Sequence, residues 1–323
     1  MKIQIVSGFL GAGKTTFINK YISGSKDRTV IIENEFGEVG LDRKLIKGDI
    51  PVKEINSGCI CCSLASDFRE GIKEIITNFS PDRIIIEPSG IAQLSDILRV
   101  CDSLNREYTL KIEDRIVIVD ACCFYECLES FGAFYTDQLE NAGVVMFSNI
   151  DRVKNDELEK IILEIGKLNP TCTIFREDWR KLDSELLESV LSEARKNIIE
   201  KKDNSYISKT SSGRKHTTAK NVFESISLSN IRGFSASDMD ILKEKICKGD
   251  FGEVVRAKGI IPVTPDAPDR ISDYWHFDSR ISSFEFRQIN IREFSNVDFT
   301  HEKGSVIMIG RNLEKDSIKK YFS

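Results

Sequence analysis

Gly8-Phe9-Leu10-Gly11-Ala12-Gly13-Lys14-Thr15 is the stretch on which the reading of this chain turns. The eight residues fit G-x-x-x-x-G-K-[ST], a phosphate cradle. Ahead of them Ile3-Gln4-Ile5-Val6 reads as a short buried strand. Behind them Thr15 to Ser23 reads as a helix, with Phe17, Ile18, Tyr21 and Ile22 on one face. Strand, glycine-rich turn and helix are the context that gives the motif its meaning. Glycines let the backbone close around phosphate and aim N–H groups inward. The helix N-terminus adds positive potential. Gly8, Gly11, Ala12, Gly13, Lys14, Thr15 and Thr16 are therefore candidate contacts to a nucleoside triphosphate. Lys14 is expected to reach the β- and γ-phosphates, and the Thr15 hydroxyl to hold Mg²⁺.

Outward from the cradle, strand and helix signals alternate for 200 residues. Val30-Ile31-Ile32, Ile84-Ile85-Ile86, Ile116-Val117-Ile118-Val119 and Val144-Val145-Met146-Phe147 are continuous apolar runs, as strands covered on both faces require. Helical spacing links Phe68, Ile72, Ile75, Ile76 and Phe79. It recurs in Leu158, Ile161, Ile162, Ile165 and Leu168, and in Leu186, Leu187, Val190, Leu191 and Ala194. This order predicts an α/β fold, a doubly wound parallel sheet, over residues 1–202. Residues 203–221 are polar and without period, and read as a linker. Residues 222–323 read as a smaller α+β domain: strands at Glu224–Leu228, Val254–Val263 and Ser305–Ile309, strand character over Trp275–Ile289, and helices at Ser237–Cys247 and the end. Phe284 and Phe286 alternate with Ser283, Glu285 and Arg287, which predicts one wet face.

Composition narrows the partners. With 46 basic and 51 acidic residues the chain carries a net charge of −5, so nucleic acid is a poor fit. No apolar run approaches the roughly 18–20 residues of a membrane helix. The strand pattern begins at Met1 to Ile5 and leaves no room for a signal peptide, so the expected compartment is the cytosol. Disulfides are not expected there. Of the nine cysteines, Cys101, Cys172 and Cys247 are scattered and read as buried packing residues. Cys122, Cys123 and Cys127 read as packing too, the last two being one helical turn apart.

Two further segments extend the cradle. Glu87-Pro88-Ser89-Gly90 ends a buried strand, and strand carboxyl ends face the ligand crevice in such a sheet. Glu87 is placed to hold Mg²⁺ through water, and the Gly90 N–H to contact a γ-phosphate. Lys14, Thr15 and Glu87 are the candidate catalytic residues. Ser148-Asn149-Ile150-Asp151 ends the Val144 strand, where many GTPases carry Asn-Lys-x-Asp. Asp151 can accept the two hydrogen bonds that guanine offers and adenine lacks. Asn149 stands where the lysine that lies along the base would be. The retained Asp151 favours GTP, and Asn149 and Asp151 are the candidate base contacts.

Gly58-Cys59-Ile60-Cys61-Cys62 places three thiols where only a loop can make them converge. Three thiolates form a soft site that selects Zn²⁺ or Cu⁺ over Mg²⁺ or Ca²⁺.

Gly8 to Thr16, Glu33-Asn34-Glu35-Phe36-Gly37-Glu38-Val39-Gly40, Gly58-Cys59-Ile60-Cys61-Cys62 and Glu87-Pro88-Ser89-Gly90 follow one another in that order. Together they resemble the CobW family of P-loop GTPases, relatives of the GTPases that deliver nickel to urease and hydrogenase. Arg256-Ala257-Lys258-Gly259 and Ile309-Gly310-Arg311-Asn312-Leu313 resemble that family's C-terminal domain. The resemblance implies a GTP-driven metallochaperone that passes Zn²⁺, or Co²⁺, to a client metalloprotein. It implies Cys59, Cys61 and Cys62 as metal ligands, with Glu33 and Glu38 of the switch-like segment as oxygen ligands. A homodimer is compatible with it. The chain departs from the family at Asn149 and at Ala121-Cys122-Cys123, where some members carry a histidine. No glutamine is placed to orient water, so slow intrinsic hydrolysis is expected. Two other readings stand beside this one. One is a nucleotide-gated regulatory protein with a structural zinc and no delivery. The other is an ATP-using kinase or ligase on the same cradle.

Overall fold

The computed structural model describes residues 1–23, 27–33, 50–54, 64–105, 107–203, 223–264, 273–281, 283–290 and 304–323. Among these, residues up to 203 belong to one compact unit and those from 223 to a second.

The first unit is built on seven parallel strands: β1 (Lys2–Gly8), β2 (Thr29–Glu33), β3 (Val52–Glu54), β4 (Arg83–Glu87), β5 (Lys111–Asp120), β6 (Val144–Ser148) and β7 (Thr173–Phe175). Their spatial order is β3-β2-β4-β1-β5-β6-β7. Every pairing is parallel, so each return needs a crossover. The crossovers carry α1 (Lys14–Ile22), α2 (Leu64–Phe79), α3 (Leu94–Leu104), α4 (Phe124–Glu140) and α5 (Asn155–Leu168), and α6 (Ser184–Asp203) follows β7. All five residues of β2, of β4 and of β6 are buried, because helices cover both faces. On one face Phe17, Ile18, Ile31, Ile85, Ile118 and Met146 pack with Trp179, Leu187 and Leu191. Each such side chain contributes about 1.5–3 kcal/mol by leaving water. The chain leaves β1 toward β2 on one side and leaves β5 toward β6 on the other. A crevice therefore opens beyond the carboxyl ends of these strands.

Phe79 and Leu186, grouped with the apolar stripes in the sequence, are exposed: Phe79 is the last residue of α2 and Leu186 lies in the first turn of α6. Cys101 and Cys172 are buried as expected, and burial pushes the Cys101 thiol up to about 12. Cys247 is exposed, contrary to its reading as a packing residue. It falls on the solvent side of its helix, whose buried residues are Met239 and Leu242.

The second unit is an antiparallel sheet with two helices. Its elements are β8 (Glu224–Ser229), α7 (Ala236–Lys248), β9 (Glu253–Pro262), β10 (Asp273–Arg280), β11 (Ser283–Asn290), β12 (Ser305–Arg311) and α8 (Lys315–Phe322). The sheet order is β11-β10-β9-β12-β8. The strand character over Trp275–Ile289 resolves into the hairpin β10–β11. Trp275 and Phe277 are core residues, and the Trp275 indole donates to the Phe234 carbonyl at 2.9 Å. The pair therefore faces the interior of the second unit. Glu285 and Arg287 are exposed while Phe284 and Phe286 pack on the core, so the alternation marks a wet face. Helix α7 starts with a capping box between Ser235 and Asp238. Among the described residues no helix is long and apolar enough to cross a membrane.

Candidate nucleotide and metal site

The cradle follows β1 at the carboxyl edge of the sheet. Gly8 has φ +143°, and a Cβ there would stand 2.4 Å from the Ile118 carbonyl oxygen of β5. Only glycine lets the turn begin this close to the neighbouring strand. Gly13 has φ +102° and caps α1 with no side-chain bond, so the first N–H groups of the helix are not closed off by a capping side chain. Ala12 donates its N–H to the Phe9 carbonyl at 3.1 Å, which tightens the loop. Lys14 is buried and curls back, its ammonium 3.4 Å from the Phe9 carbonyl. Thr15 donates its hydroxyl to a carboxylate oxygen of Glu87 at 2.8 Å. Thr16 is exposed.

Glu87 is buried at the end of β4, and Glu33 is buried at the end of β2. The two are register partners across a parallel ladder. Neighbouring strands lie about 4.8 Å apart, and partners at one register share a face of the sheet. The two carboxylates thus share one face of the sheet, with Glu87 bonded to the Thr15 hydroxyl. Gly90 follows two residues after Pro88, and a Cβ on it would lie 2.5 Å from the Leu10 N. The segment after β4 is therefore pressed against the cradle. Gln138 of α4, fully buried, donates to the carbonyls of Gly90 and Ala92, each at 3.0 Å. It fixes the height of that segment. A lone glutamine in an aromatic helix gave no sequence signal for this role.

On the other flank, Asn149 adopts the left-handed conformation, φ +54°. Its amide donates to Asp120 at 2.8 Å, and the other Asp120 oxygen accepts the Cys122 N–H at 3.0 Å. Asn149 thus tethers the turn after β6 to the end of β5. Asp151 is exposed and accepts from Arg180 at 2.6 Å. That hydrogen bond holds its carboxyl below the usual range. Neither Asp120 nor Arg180 was singled out in the sequence. Cys123 and Cys127 are buried with their sulfurs 3.7 Å apart, and the Cys127 thiol together with burial pushes the Cys123 thiol far up, so it stays protonated. They pack. Cys122 is exposed.

The structure therefore brings Gly8, Gly11, Ala12, Gly13, Lys14, Thr15, Glu87 and Glu33 to one edge, with Asn149 and Asp151 on the flank. Cys59, Cys61, Cys62 and Glu38 lie outside the described residues. Among the described residues no group of three His, Cys, Asp or Glu side chains is arranged to hold a metal ion.

A glycine turn between a parallel strand and its helix, with the helix hydroxyl bonded to a carboxylate on a neighbouring strand end, defines a phosphate-loop nucleotide-binding domain. The chain belongs to the CobW/HypB/UreG family: residues 2–176 match that family's nucleotide-binding domain. It is 29% identical over 190 residues to the zinc chaperone YeiR of Escherichia coli, covering 58% of each chain. It is 29% identical over 196 residues to the zinc chaperone YjiA of the same organism, covering 57% of this chain and 60% of the relative. The matched part thus spans about three fifths of these relatives' length. The solved zinc-bound YjiA GTPase from E. coli aligns over 99% of this chain and 97% of its own, with 19% identity and a TM-score of 0.45.

Proposed function

We propose that this chain binds and hydrolyses GTP and uses that cycle to carry a transition metal, zinc or else cobalt, to a client metalloprotein. The observation that carries the reading is the Thr15–Glu87 contact with Glu33 in register beside it. It supports a link between the nucleotide and Glu33, which the resemblance offers as an oxygen ligand of the metal.

The cradle fits a triphosphate. Its backbone N–H groups and the α1 N-terminus present positive potential to phosphate oxygens. The Lys14 ammonium sits at the long limit of a hydrogen bond to Phe9, a contact readily exchanged for a phosphate oxygen. Thr15 and Glu87 offer only oxygen donors, which suit Mg²⁺. Thr15 would bind it directly and Glu87 through water, and Mg²⁺ would neutralise charge on the phosphates. Gly90, held by Gln138 against Leu10, keeps its N–H near the γ-phosphate position.

The metal belongs to Cys59, Cys61 and Cys62, whose three thiolates suit zinc. The E. coli relatives are named zinc chaperones, which supports that choice. Glu33 and Glu38 would complete the shell. Glu33 then couples the sites, because Glu87 at its side answers to the nucleotide. A switch ordered by γ-phosphate collapses on hydrolysis, so GTP favours holding the metal and GDP favours release. Linkage demands that the metal shift nucleotide affinity by the same factor. The test is Zn²⁺ affinity measured with a non-hydrolysable GTP analogue and with GDP, in wild type and Cys61→Ser. The expected result is tighter Zn²⁺ binding with the analogue and loss of stoichiometric uptake in the variant. Equal affinities in the two nucleotide states would leave a nucleotide-binding protein with a structural metal.

A further inference from the structure

The turn after β7 was silent in the sequence, yet it reaches the base side of the crevice. Trp179 is 1% exposed and packs edge-on against Phe17 of α1, with ring centroids 5.2 Å apart. Its ring also comes within 4.0 Å of where a Gly13 Cβ would stand. The turn is thus pinned to the phosphate cradle. Its next residue, Arg180, is held by Asp178 through Nε at 2.8 Å and Nη2 at 3.0 Å, while Asp178 also accepts the Arg180 backbone N–H at 3.0 Å. The same Nη2 reaches Asp151 at 2.6 Å. Asn149, at the position of the missing lysine, is committed to Asp120.

We infer that Arg180 grips the nucleobase, supplying from the turn after β7 the face-on contact that the lysine of Asn-Lys-x-Asp would supply. This rests on the guanine-nucleotide reading above. Guanine's N1–H and N2–H₂ present the same donor pair as a guanidinium edge. When guanine arrives, Asp151 gives up the single bond from Arg180 Nη2 and accepts guanine's pair instead. Arg180 keeps both bonds to Asp178 and lays its planar face along the ring. A guanidinium covers a base with its delocalised plane, whereas a lysine covers it only with its aliphatic stem.

The test uses the full chain with fluorescent GDP and ADP, and inorganic pyrophosphate as competitor. Arg180→Ala should weaken GDP about tenfold, and Arg180→Lys about threefold, the range of a face-on cation contact. Asp178→Asn, which retains an acceptor for the turn, should fall between wild type and Arg180→Ala. Pyrophosphate affinity should not change in any of the three, which also certifies the fold of each variant. Unchanged or tighter GDP binding in Arg180→Ala would overturn the inference, because Arg180 would then be only a plug on Asp151. An equal loss of pyrophosphate would overturn it as well. If the wild-type chain itself shows no preference for GDP over ADP, the guanine reading fails first and takes this inference with it.

Discussion

The two edges of the parallel sheet are built on opposite principles. At the carboxyl edge the chain turns through glycines at Gly8, Gly11 and Gly13, all with positive φ, and polar groups face a crevice. At the amino edge, side chains lock one another. Gln4 of β1 donates to the Tyr21 hydroxyl at 2.8 Å and to Asp114 of β5 at 2.6 Å. Arg195 of α6 binds Asp114 through two nitrogens, at 2.7 and 2.6 Å, and Glu188 at 2.7 Å. Tyr21 donates to Glu188, and the Arg83 guanidinium lies 5.3 Å from the Tyr21 ring. Burial and the neighbouring Glu188 push the Tyr21 hydroxyl far above its ordinary range, so it stays protonated and keeps donating. One edge joins α1, α6 and three strands through partnered side chains, and the other gathers the glycine turn with Lys14, Thr15 and Glu87. The difference predicts that stability and nucleotide affinity can be lost separately.

The largest effect belongs to the carboxyl edge. Lys14→Ala should cost about 3 kcal/mol of GTP binding, roughly a hundredfold in affinity, because it removes a charged donor to phosphate. Its unfolding midpoint in urea without nucleotide should match wild type. A matching loss of stability would show that Lys14 is a core residue rather than a ligand contact. The converse substitution comes next. Arg195→Met leaves Asp114, nearly fully buried, without its bidentate partner. Removing one member of a buried ion pair costs several kcal/mol, and the half-exposed Glu188 lowers that to about 2 kcal/mol here. GDP affinity of the folded variant, measured well below its transition, should be unchanged. A parallel fall in affinity would mean that the two edges are coupled through α1.

How much of this was legible in the sequence follows from what each feature depends on. β2, β4, β5 and β6 announce themselves because burial on both faces demands continuous apolar runs, and β1 does so through Ile3, Ile5 and Val6 around Gln4. β3 and β7 span only three residues each, too few to show a period. α4 is apolar on several sides and interrupted at Gly132, φ +32°, ψ −105°, so no stripe stands out. The cradle is legible because its glycines, lysine and threonine are local requirements of one turn. Gln138, Asp120 and Arg180 act on segments far away in the sequence, 48, 29 and 29 residues off. Only folding creates their roles. The same holds for the amino edge, where Gln4 and Asp114 meet across 110 residues.

The smallest effect sharpens the comparison through pH. Burial by itself raises the Glu188 carboxyl, but the hydrogen bonds from Arg195 and Tyr21 and the charge on Arg195 outweigh it and hold it below its ordinary 4.5. A carboxyl set lower in the folded chain than in the unfolded one stabilises the fold above that ordinary value. The contribution fades as pH falls through the lower, folded value. Glu188 is about half exposed, so screening keeps it to about 0.5 kcal/mol. Glu188→Gln should therefore lie slightly below wild type at pH 7 and converge with it as pH falls below the ordinary 4.5 and through the lower, folded value. Trp179, the tryptophan of the first unit, reports the transition once Trp275→Phe silences the other of the two. GDP affinity at pH 7 should not respond to the substitution. A constant stability gap from pH 7 to pH 3 would mean that Glu188 acts by packing, and that the amino edge owes its lock to Asp114 and Arg195 alone.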